Sequence, residues 1–223
     1  MKKIISSSLF IKLGGIVLPS YAADGLSFNA ALTSDYRYRG ISQTRLKPAL
    51  SGGADYVAGG FYAGIWASTI KWVKDSGGDG SLEVDLYGGY KGEISKDFAY
   101  DVGILTYQYP RNKINPSANT TELYGALSYG PITAKYSHSI SNLFGFGNSK
   151  RSGYLELNGS FEIAQGLSLV PHVGHQMVKN NSGFSYTDYS LGLTTDAYGF
   201  NWTGALVGSN TDAYVSAVNG KNL

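Results

Sequence analysis

The stretch "LEVDLYGGYK", residues 82–91, alternates between apolar and polar side chains. An extended strand sends successive side chains to opposite faces, so this stretch predicts a β-strand with one apolar and one polar face. The apolar phase holds Leu82, Val84, Leu86 and Tyr90, and the polar phase holds Glu83, Asp85, Tyr87 and Lys91.

The same alternation recurs along the chain and yields eleven predicted strands in all. Most of them are close to the length of about ten residues that a tilted strand needs to cross a membrane. The other ten predicted strands are 26–38, 49–58, 61–70, 98–109, 121–129, 132–139, 153–163, 167–177, 186–195 and 200–208.

The connections between these runs alternate in length. An outer-membrane barrel has tight periplasmic turns and longer outer loops, whereas a soluble sandwich has no reason to sort its connections in this way. The pattern predicts an all-β fold, a transmembrane antiparallel up-and-down β-barrel of about 12 strands. The short connections are 59–60, 95–97, 130–131, 164–166 and 197–199, and the long ones are 40–48, 71–81, 110–120, 140–152 and 178–185.

The N-terminal segment has the pattern of a secretory signal. It carries Lys2, Lys3 and Lys12, an apolar run and a small-residue cleavage site after Ala22. We therefore expect a signal peptide at 1–22 and a single barrel domain at 23–223. Removing those three lysines from 18 basic residues leaves 15 against 16 acidic ones, a net charge of −1. This balance gives no reason to expect a nucleic-acid partner.

Composition excludes two other ways of stabilising an exported protein. The chain has no cysteine, so disulfides are excluded, and no apolar stretch approaches the roughly 20 residues of a membrane helix. Its 30 glycines and 18 tyrosines are typical of a β protein.

The stretch "SDYRYRG", 34–40, continues the first predicted strand with alternating tyrosines and arginines. We expect Tyr36 and Tyr38 to face lipid near the interface, and Arg37 and Arg39 to face the lumen, because an unpaired arginine on the lipid side costs roughly 2–4 kcal/mol near the midplane. Two lumenal arginines predict a bias toward anions, which Asp35 on the same face opposes.

Other strands contribute further polar residues to the inward phase. These side chains either contact solute or form a structural lattice of charges, and the pattern is compatible with both. The lumen-facing candidates are Asp35, Arg37, Arg39, Glu83, Asp85, Tyr87, Asp101, Tyr107, Glu122, Tyr124 and Glu156.

Several motifs resemble those of the TorF porin family. The resemblance covers nearly the whole chain after residue 22, and its most specific part is "YRGISQT" followed by "KPA". It implies a Gram-negative outer-membrane β-barrel with a passive channel role, and it supplies neither a substrate nor functional residues. Further matching stretches are "GFYAGIWAS", "EVDLYGGYKGE", "YDVGILTYQYP", "TELYGALSYGP", "YLELNGSFEIAQGLSLVPHVG" and "DYSLGLTTDAYGF".

The strand count departs from this pattern. Single-chain barrels usually have an even number of strands, whereas this sequence shows eleven before it ends in the polar residues "NGKNL" at 219–223. We therefore expect the last strand to be missing at the C-terminus, because an incomplete barrel leaves strand edges unpaired in lipid.

The chain carries no convincing catalytic or metal-binding motif. His138 and Ser139 fall on opposite faces of one strand, and Ser141 begins a loop, so they do not form a hydrolytic dyad. His172 and His175 are three residues apart and also point to opposite faces. We expect no enzyme activity, no cofactor and no metal.

Three functions remain open. The first is an outer-membrane channel for passive diffusion of small hydrophilic solutes; the second is a structural or interaction barrel with a plugged lumen; the third and least favoured is a lipid-modifying enzyme. The expected partners are outer-membrane lipid and the solutes. The oligomeric state stays open. About twelve strands enclose a narrower interior than the 16–18 strands of general porins, so a pore would admit only slender solutes.

Overall fold

Nearly every alternating run is a β-strand in the computed structural model, which describes residues 24–214. The strands are β1 (Gly25–Thr33), β2 (Arg37–Tyr38), β3 (Ile41–Ser42), β4 (Ala49–Ala58), β5 (Phe61–Thr69), β6 (Leu82–Ser95), β7 (Phe98–Gln108), β8 (Thr120–Tyr129), β9 (Ile132–Ser139), β10 (Gly153–Gly159), β11 (Phe161–Ala164), β12 (Leu167–Met177), β13 (Tyr186–Ala197) and β14 (Phe200–Ser209). The helical elements in this part of the chain are α1 (Trp72–Asp75) and a 3₁₀ turn at Ser182–Phe184.

All strands except β2 and β3 belong to one antiparallel up-and-down sheet. Each strand pairs with the next along the chain, and β10 and β11 both pair with β12, so they act as one interrupted strand. Eleven strands therefore cross the sheet, and the prediction of an all-β, antiparallel fold is confirmed. The sheet is rolled into a barrel around the short β2–β3 hairpin. β1 and β14 are its edge strands within residues 24–214.

The first predicted strand, 26–38, is wrong at its C-terminal end. β1 stops at Thr33, and the chain then turns away from the sheet. The carboxylate of Asp35 accepts hydrogen bonds from the hydroxyls of Ser42 and Thr44, at 2.5 and 3.1 Å. A local Asx-type network of this kind competes with continued strand pairing, and it directs the following residues into the barrel.

The connections are sorted by length between the two ends of the barrel. The end with the short connections, which we name the turn end, includes Gly130 and Gly199, whose φ angles of 52° and 79° suit glycine. The opposite end, which we name the loop end, carries the segments 34–48, 70–81, 109–119, 140–152 and 178–185. In an up-and-down sheet, successive connections lie at opposite ends. Because short and long connections alternate along this chain, all the short ones lie at one end and all the long ones at the other.

The two faces of the sheet are reversed relative to those of a soluble protein. Large apolar side chains point outward and are exposed, as with Phe28 at 71% and Leu32 at 77%. Charged side chains point inward and are buried, as with Asp85 at 0% and Glu122 at 2%. The other exposed apolar side chains come from every long strand and include Leu50, Phe61, Ile65, Leu86, Val102, Ile104, Leu123, Leu127, Leu155, Leu157, Val173, Leu191, Leu193, Trp202 and Leu206.

Glycines on the inward face make room for tyrosine rings from neighbouring strands. A Cβ atom at Gly103 would lie 2.5 Å from the hydroxyl of Tyr124, and one at Gly64 would lie 2.5 Å from the ring of Tyr87. This pairing of glycine with an aromatic ring accounts for part of the high content of both residue types. Among residues 24–214, no helix is long and apolar enough to cross a membrane.

Candidate functional site

The segment 34–48 lies inside the barrel at the loop end and forms the centre of the candidate site. Its hairpin pairs Arg37 with Ser42 and Tyr38 with Ile41. The chain reverses at Arg39 and Gly40, both with positive φ. A side chain at residue 40 would meet Cβ of Asp188 at 2.5 Å, so glycine lets the hairpin lie directly against the wall. We refer to residues 34–48 as the inner hairpin.

The two tyrosines of the inner hairpin do not face lipid, contrary to the expectation from the sequence. Tyr36 is 3% exposed, and its hydroxyl donates to Glu83 Oε1 at 2.9 Å. The hydroxyl of Tyr38 lies 2.6 Å from that of Tyr107 on β7. The tyrosines and arginines of 34–40 do alternate along the chain. Because the chain turns inward after Thr33, both the tyrosines and the arginines lie in the interior.

Burial changes the ionisation of Tyr36. Its removal from water is the main cause that raises the pKa of this phenol well above its ordinary value, and the nearby carboxylate of Glu83 raises it further. The neutral phenol acts as the hydrogen-bond donor to Glu83, and burial extends its neutral form to higher pH. Glu83 itself is 1% exposed on β6.

Arg37 is neutralised within the inner hairpin. Its Nε donates to Asp35 Oδ2 at 2.7 Å, and Nη1 donates to the carbonyl of Gly40 at 3.2 Å. Both charged side chains are nearly buried, with exposures of 5% for Arg37 and 10% for Asp35. The pair therefore holds the hairpin in its folded shape.

Arg39 connects the inner hairpin to the far wall of the barrel. Its two terminal nitrogens donate to the two carboxylate oxygens of Glu122 on β8, at 3.0 and 2.7 Å. Nη1 also donates to Gln176 Oε1 on β12 at 2.6 Å, and the guanidinium lies 4.1 Å from the ring centre of Tyr154 on β10. The hydroxyl of Tyr186 donates to the carbonyl of Arg39 at 2.9 Å. One side chain thus joins elements that are distant in sequence.

A second group of polar residues lies deeper in the barrel, toward the turn end. The hydroxyl of Tyr62 donates to Asp101 Oδ1 at 2.5 Å and also meets the hydroxyl of Tyr124. Lys135 Nζ lies 4.4 Å above the ring of Tyr124. These side chains are only partly buried, so this half of the interior is more open than the half that holds the inner hairpin.

A third group surrounds His172 on the inward face of β12. Its Nε2 lies 2.9 Å from Asp188 Oδ1, and its Nδ1 lies 2.6 Å from Asn158 Oδ1. Glu156 is 3.9 Å from the same imidazole, and Tyr154 donates to Asp188 at 3.0 Å. The sequence analysis did not select His172, Asp188 or Tyr154, although the last two lie on the polar phase of predicted strands.

All eleven candidates from the sequence lie in the interior; ten of them belong to the three groups described above, and the eleventh is Asp85. The inner hairpin holds Asp35, Arg37 and Arg39 and gathers Glu83, Tyr107 and Glu122 around it. Tyr87, Asp101 and Tyr124 belong to the deeper group, where the hydroxyl of Tyr87 donates to Asp55 at 2.5 Å. Glu156 belongs to the His172 group. Asp85 is fully buried on β6, opposite Trp66 of β5 and Tyr107 of β7.

The described residues contain no candidate metal site, and His138 and Ser139 do not form a hydrolytic dyad. No group of three or more His, Cys, Asp or Glu side chains in residues 24–214 could hold a metal ion. On β9, His138 points outward with its Nδ1 3.4 Å from the hydroxyl of Tyr136, while Ser139 is buried on the inward phase.

Comparison with known proteins identifies a family but no characterised relative. No curated protein matches the chain. Two solved structures resemble it distantly: OprD of Pseudomonas aeruginosa, at 13% identity and a TM-score of 0.41, and a double variant of OccD1 (OprD), at 13% and 0.40. The matches cover 90% of this chain but only 64% and 63% of the lengths of those two proteins.

The family match spans most of the chain. A family model described as "Bacterial protein of unknown function (Gcw_chp)" matches residues 20–222, which is almost the whole chain. The chain therefore belongs to the Gcw_chp family of bacterial proteins.

Proposed function

We propose that this protein is an outer-membrane channel of a Gram-negative bacterium, through which small hydrophilic solutes diffuse passively. The observation that carries the proposal is the reversal of its two faces: apolar side chains are exposed on every long strand, whereas charged side chains are buried inside. In water this arrangement would expose a large apolar area. In a bilayer the apolar outer face would contact lipid, and the polar inner face would contact water.

The sorting of the connections supports the orientation. Barrels of the outer membrane place short turns toward the periplasm and long loops toward the exterior. We therefore infer that the turn end faces the periplasm and that the loop end, with the inner hairpin, faces outward. The resemblance to the TorF porin family is consistent with this proposal. A signal peptide at 1–22, outside the described residues, is the proposed route of export.

The interior is polar enough for a water-filled path, but the inner hairpin narrows it. The deeper group around Tyr62 and Tyr124 leaves partly exposed polar groups, whereas the network around Arg39 is buried. We infer that the conducting path is open toward the turn end and constricted at the loop end. The conductance should then be small, and solutes should be slender.

A second candidate function is a structural barrel whose lumen is closed by its own side chains. The bidentate ion pair between Arg39 and Glu122 favours this function, because a buried ion pair holds the inner hairpin in one position inside the barrel. A catalytic role is not part of either proposal, since His138 and Ser139 lie on opposite faces of the sheet.

Electrical recording in a planar bilayer distinguishes the two candidates. The channel proposal predicts discrete conductance steps from purified, refolded protein, and a closed barrel predicts none. Membrane location is checked separately by fractionation and by comparing the gel mobility of boiled and unboiled samples. A protein found in the soluble periplasmic fraction, with no heat-dependent shift, would contradict both candidates.

A further inference from the structure

We propose that the outward surface at the loop end of β9, β10 and β12 binds the phosphate groups of a lipid in the outer leaflet. The surface, which we name the basic rim, consists of Arg151 and Lys179 with His138 and His175 beneath them. This inference goes beyond the channel role. It rests on the proposed membrane location and not on conduction.

The ends of two paired strands bring the two cations near each other. Gly153 of β10 pairs with Met177 of β12, and Arg151 and Lys179 each lie in the turn two residues beyond that last pair. The N–H of Lys179 donates to Ser152 Oγ at 3.0 Å, so the backbone of Lys179 lies next to that of the residue after Arg151. Both side chains are exposed and long, so both head groups can reach one phosphate.

Backbone contacts hold these two positions in place. The N–H of Arg151 donates to the carbonyl of Ser139 at 2.8 Å, and the N–H of Lys179 donates to Ser152 Oγ at 3.0 Å. The side-chain amide of Asn180 also donates to the carbonyl of Asn148 at 2.8 Å, which joins the two loops. The like charges are therefore fixed near each other by the fold.

The charges of the basic rim are not balanced by the protein. Within residues 24–214, neither Arg151 nor Lys179 forms an ion pair with a carboxylate. The acidic side chains of the adjacent strands, Glu156 and Asp188, point inward and are buried. Like charges held near each other repel, and a bound anion removes that repulsion.

The surface below the cations has the chemistry of a lipid contact rather than of a site for free phosphate. His138 and His175 engage Tyr136 and Thr187 through Nδ1, and Nε2 of each ring has no hydrogen-bond partner among the described residues. Exposed apolar side chains follow immediately beneath, as with Leu155 at 58%. Cations above apolar side chains match a phosphorylated headgroup above its acyl chains.

The test uses the folded protein in detergent and measures lipid binding by native mass spectrometry. The probes are a diphosphorylated glycolipid and the same glycolipid after removal of its phosphates. Wild type should bind the phosphorylated form more tightly. The double variant Arg151→Glu/Lys179→Glu should lose at least about tenfold in affinity, since each surface cation is worth about 1 kcal/mol toward anionic lipid and reversal also adds repulsion.

Two comparisons make the result specific. Arg151→Lys/Lys179→Arg keeps both charges and should bind the phosphorylated glycolipid within about threefold of wild type. Lys71→Glu/Lys74→Glu reverses two exposed cations elsewhere on the loop end, and its affinity should also stay within about threefold of wild type. Equal binding of both glycolipids to wild type would overturn the proposal, as would equal losses in the two Glu variants. Displacement of the lipid by equimolar inorganic phosphate would assign the surface to a soluble anion instead. Heat-dependent gel mobility establishes that each variant is folded.

Discussion

Arg39 shows how a single side chain can hold the interior of this barrel together. It satisfies both carboxylate oxygens of Glu122 and the side-chain oxygen of Gln176, and it lies against the ring of Tyr154. All of these partners come from strands far along the chain. The energetic consequence is that neither partner of the ion pair can be removed without leaving the other charged and buried.

Replacing Arg39 with alanine should lower the free energy of unfolding by about 3–5 kcal/mol, because Glu122 would remain buried at 2% exposure without its cation. Urea unfolding in detergent, followed by tryptophan fluorescence, measures the change. Lys113→Ala is the matched control. Its ion pair with Asp79 is exposed, so its loss should change the free energy of unfolding far less. Equal losses in the two variants would contradict the role given to Arg39.

Gly40 is the second position where one residue decides the placement of the inner hairpin. Gly40→Ala should destabilise the protein by more than about 1 kcal/mol, because φ is +76° and the new methyl group would overlap Cβ of Asp188. Gly183→Ala, where no atom lies within 4 Å of the added carbon, should change the same unfolding free energy far less. A Gly40 variant as stable as the Gly183 variant would mean that the hairpin does not press on the wall.

At the level of elements, the inner hairpin leaves the sheet and enters the barrel, where loop residues such as Val73 and Phe144 pack in the same cluster as Tyr36. Its own hydrogen bonds centre on Asp35, and its contacts to the wall come from Tyr36, Tyr38 and Arg39. Since it occupies only the loop end, it should limit flow without filling the deeper half of the interior.

Replacing residues 35–47 with a short Gly-Ser connection should raise the single-channel conductance at least about twofold, because the constriction would be removed while the wall remains. Planar-bilayer recording measures the effect. A connection of the same composition in place of residues 180–184, which lie in another loop and contact Asn148, Phe146 and Tyr214, serves as the control. An unchanged conductance in a folded hairpin-deletion variant would show that the narrowest point lies elsewhere.

For the whole molecule, the balance of interior charge reverses the expectation drawn from the two arginines. Arg37 and Arg39 are each paired with a carboxylate, so they contribute little net field to the lumen. Among the described residues, inward carboxylates outnumber inward cations. The buried or partly buried carboxylates include Asp35, Asp55, Asp75, Glu83, Asp85, Asp101, Glu122, Glu156 and Asp188, and the corresponding cations are Arg37, Arg39, Arg45, Lys91 and Lys135.

The channel should therefore prefer cations over anions, because a low-dielectric wall strengthens the field of the excess carboxylates. The reversal potential in a salt gradient reports this preference. Asp55→Asn/Asp101→Asn removes two partly exposed interior charges and should shift the potential toward zero. Asp97→Asn, in a turn outside the strands, should shift it less. A wild-type channel selective for anions would refute the assignment of the interior charges.

The sequence alone determined the number and phase of the strands. Eleven alternating runs correspond to the eleven strands that cross the sheet, and the inward placement of residues such as Glu83 and Glu122 follows from a period of two. This pattern is readable because it is local: within a strand, whether a side chain points outward or inward depends on its position along that strand. The sorting of short and long connections is equally local.

Only the tertiary structure decided where the chain leaves the sheet and which interior groups meet. The alternation continues unchanged through 34–38, so nothing in its period reveals that β1 ends at Thr33 and that Tyr36 turns inward. The meeting of Arg39 with Glu122 and Gln176 depends on the curvature of the barrel. A period of two assigns each residue to a face, but the distance across the interior is set by the curvature of all of the strands together.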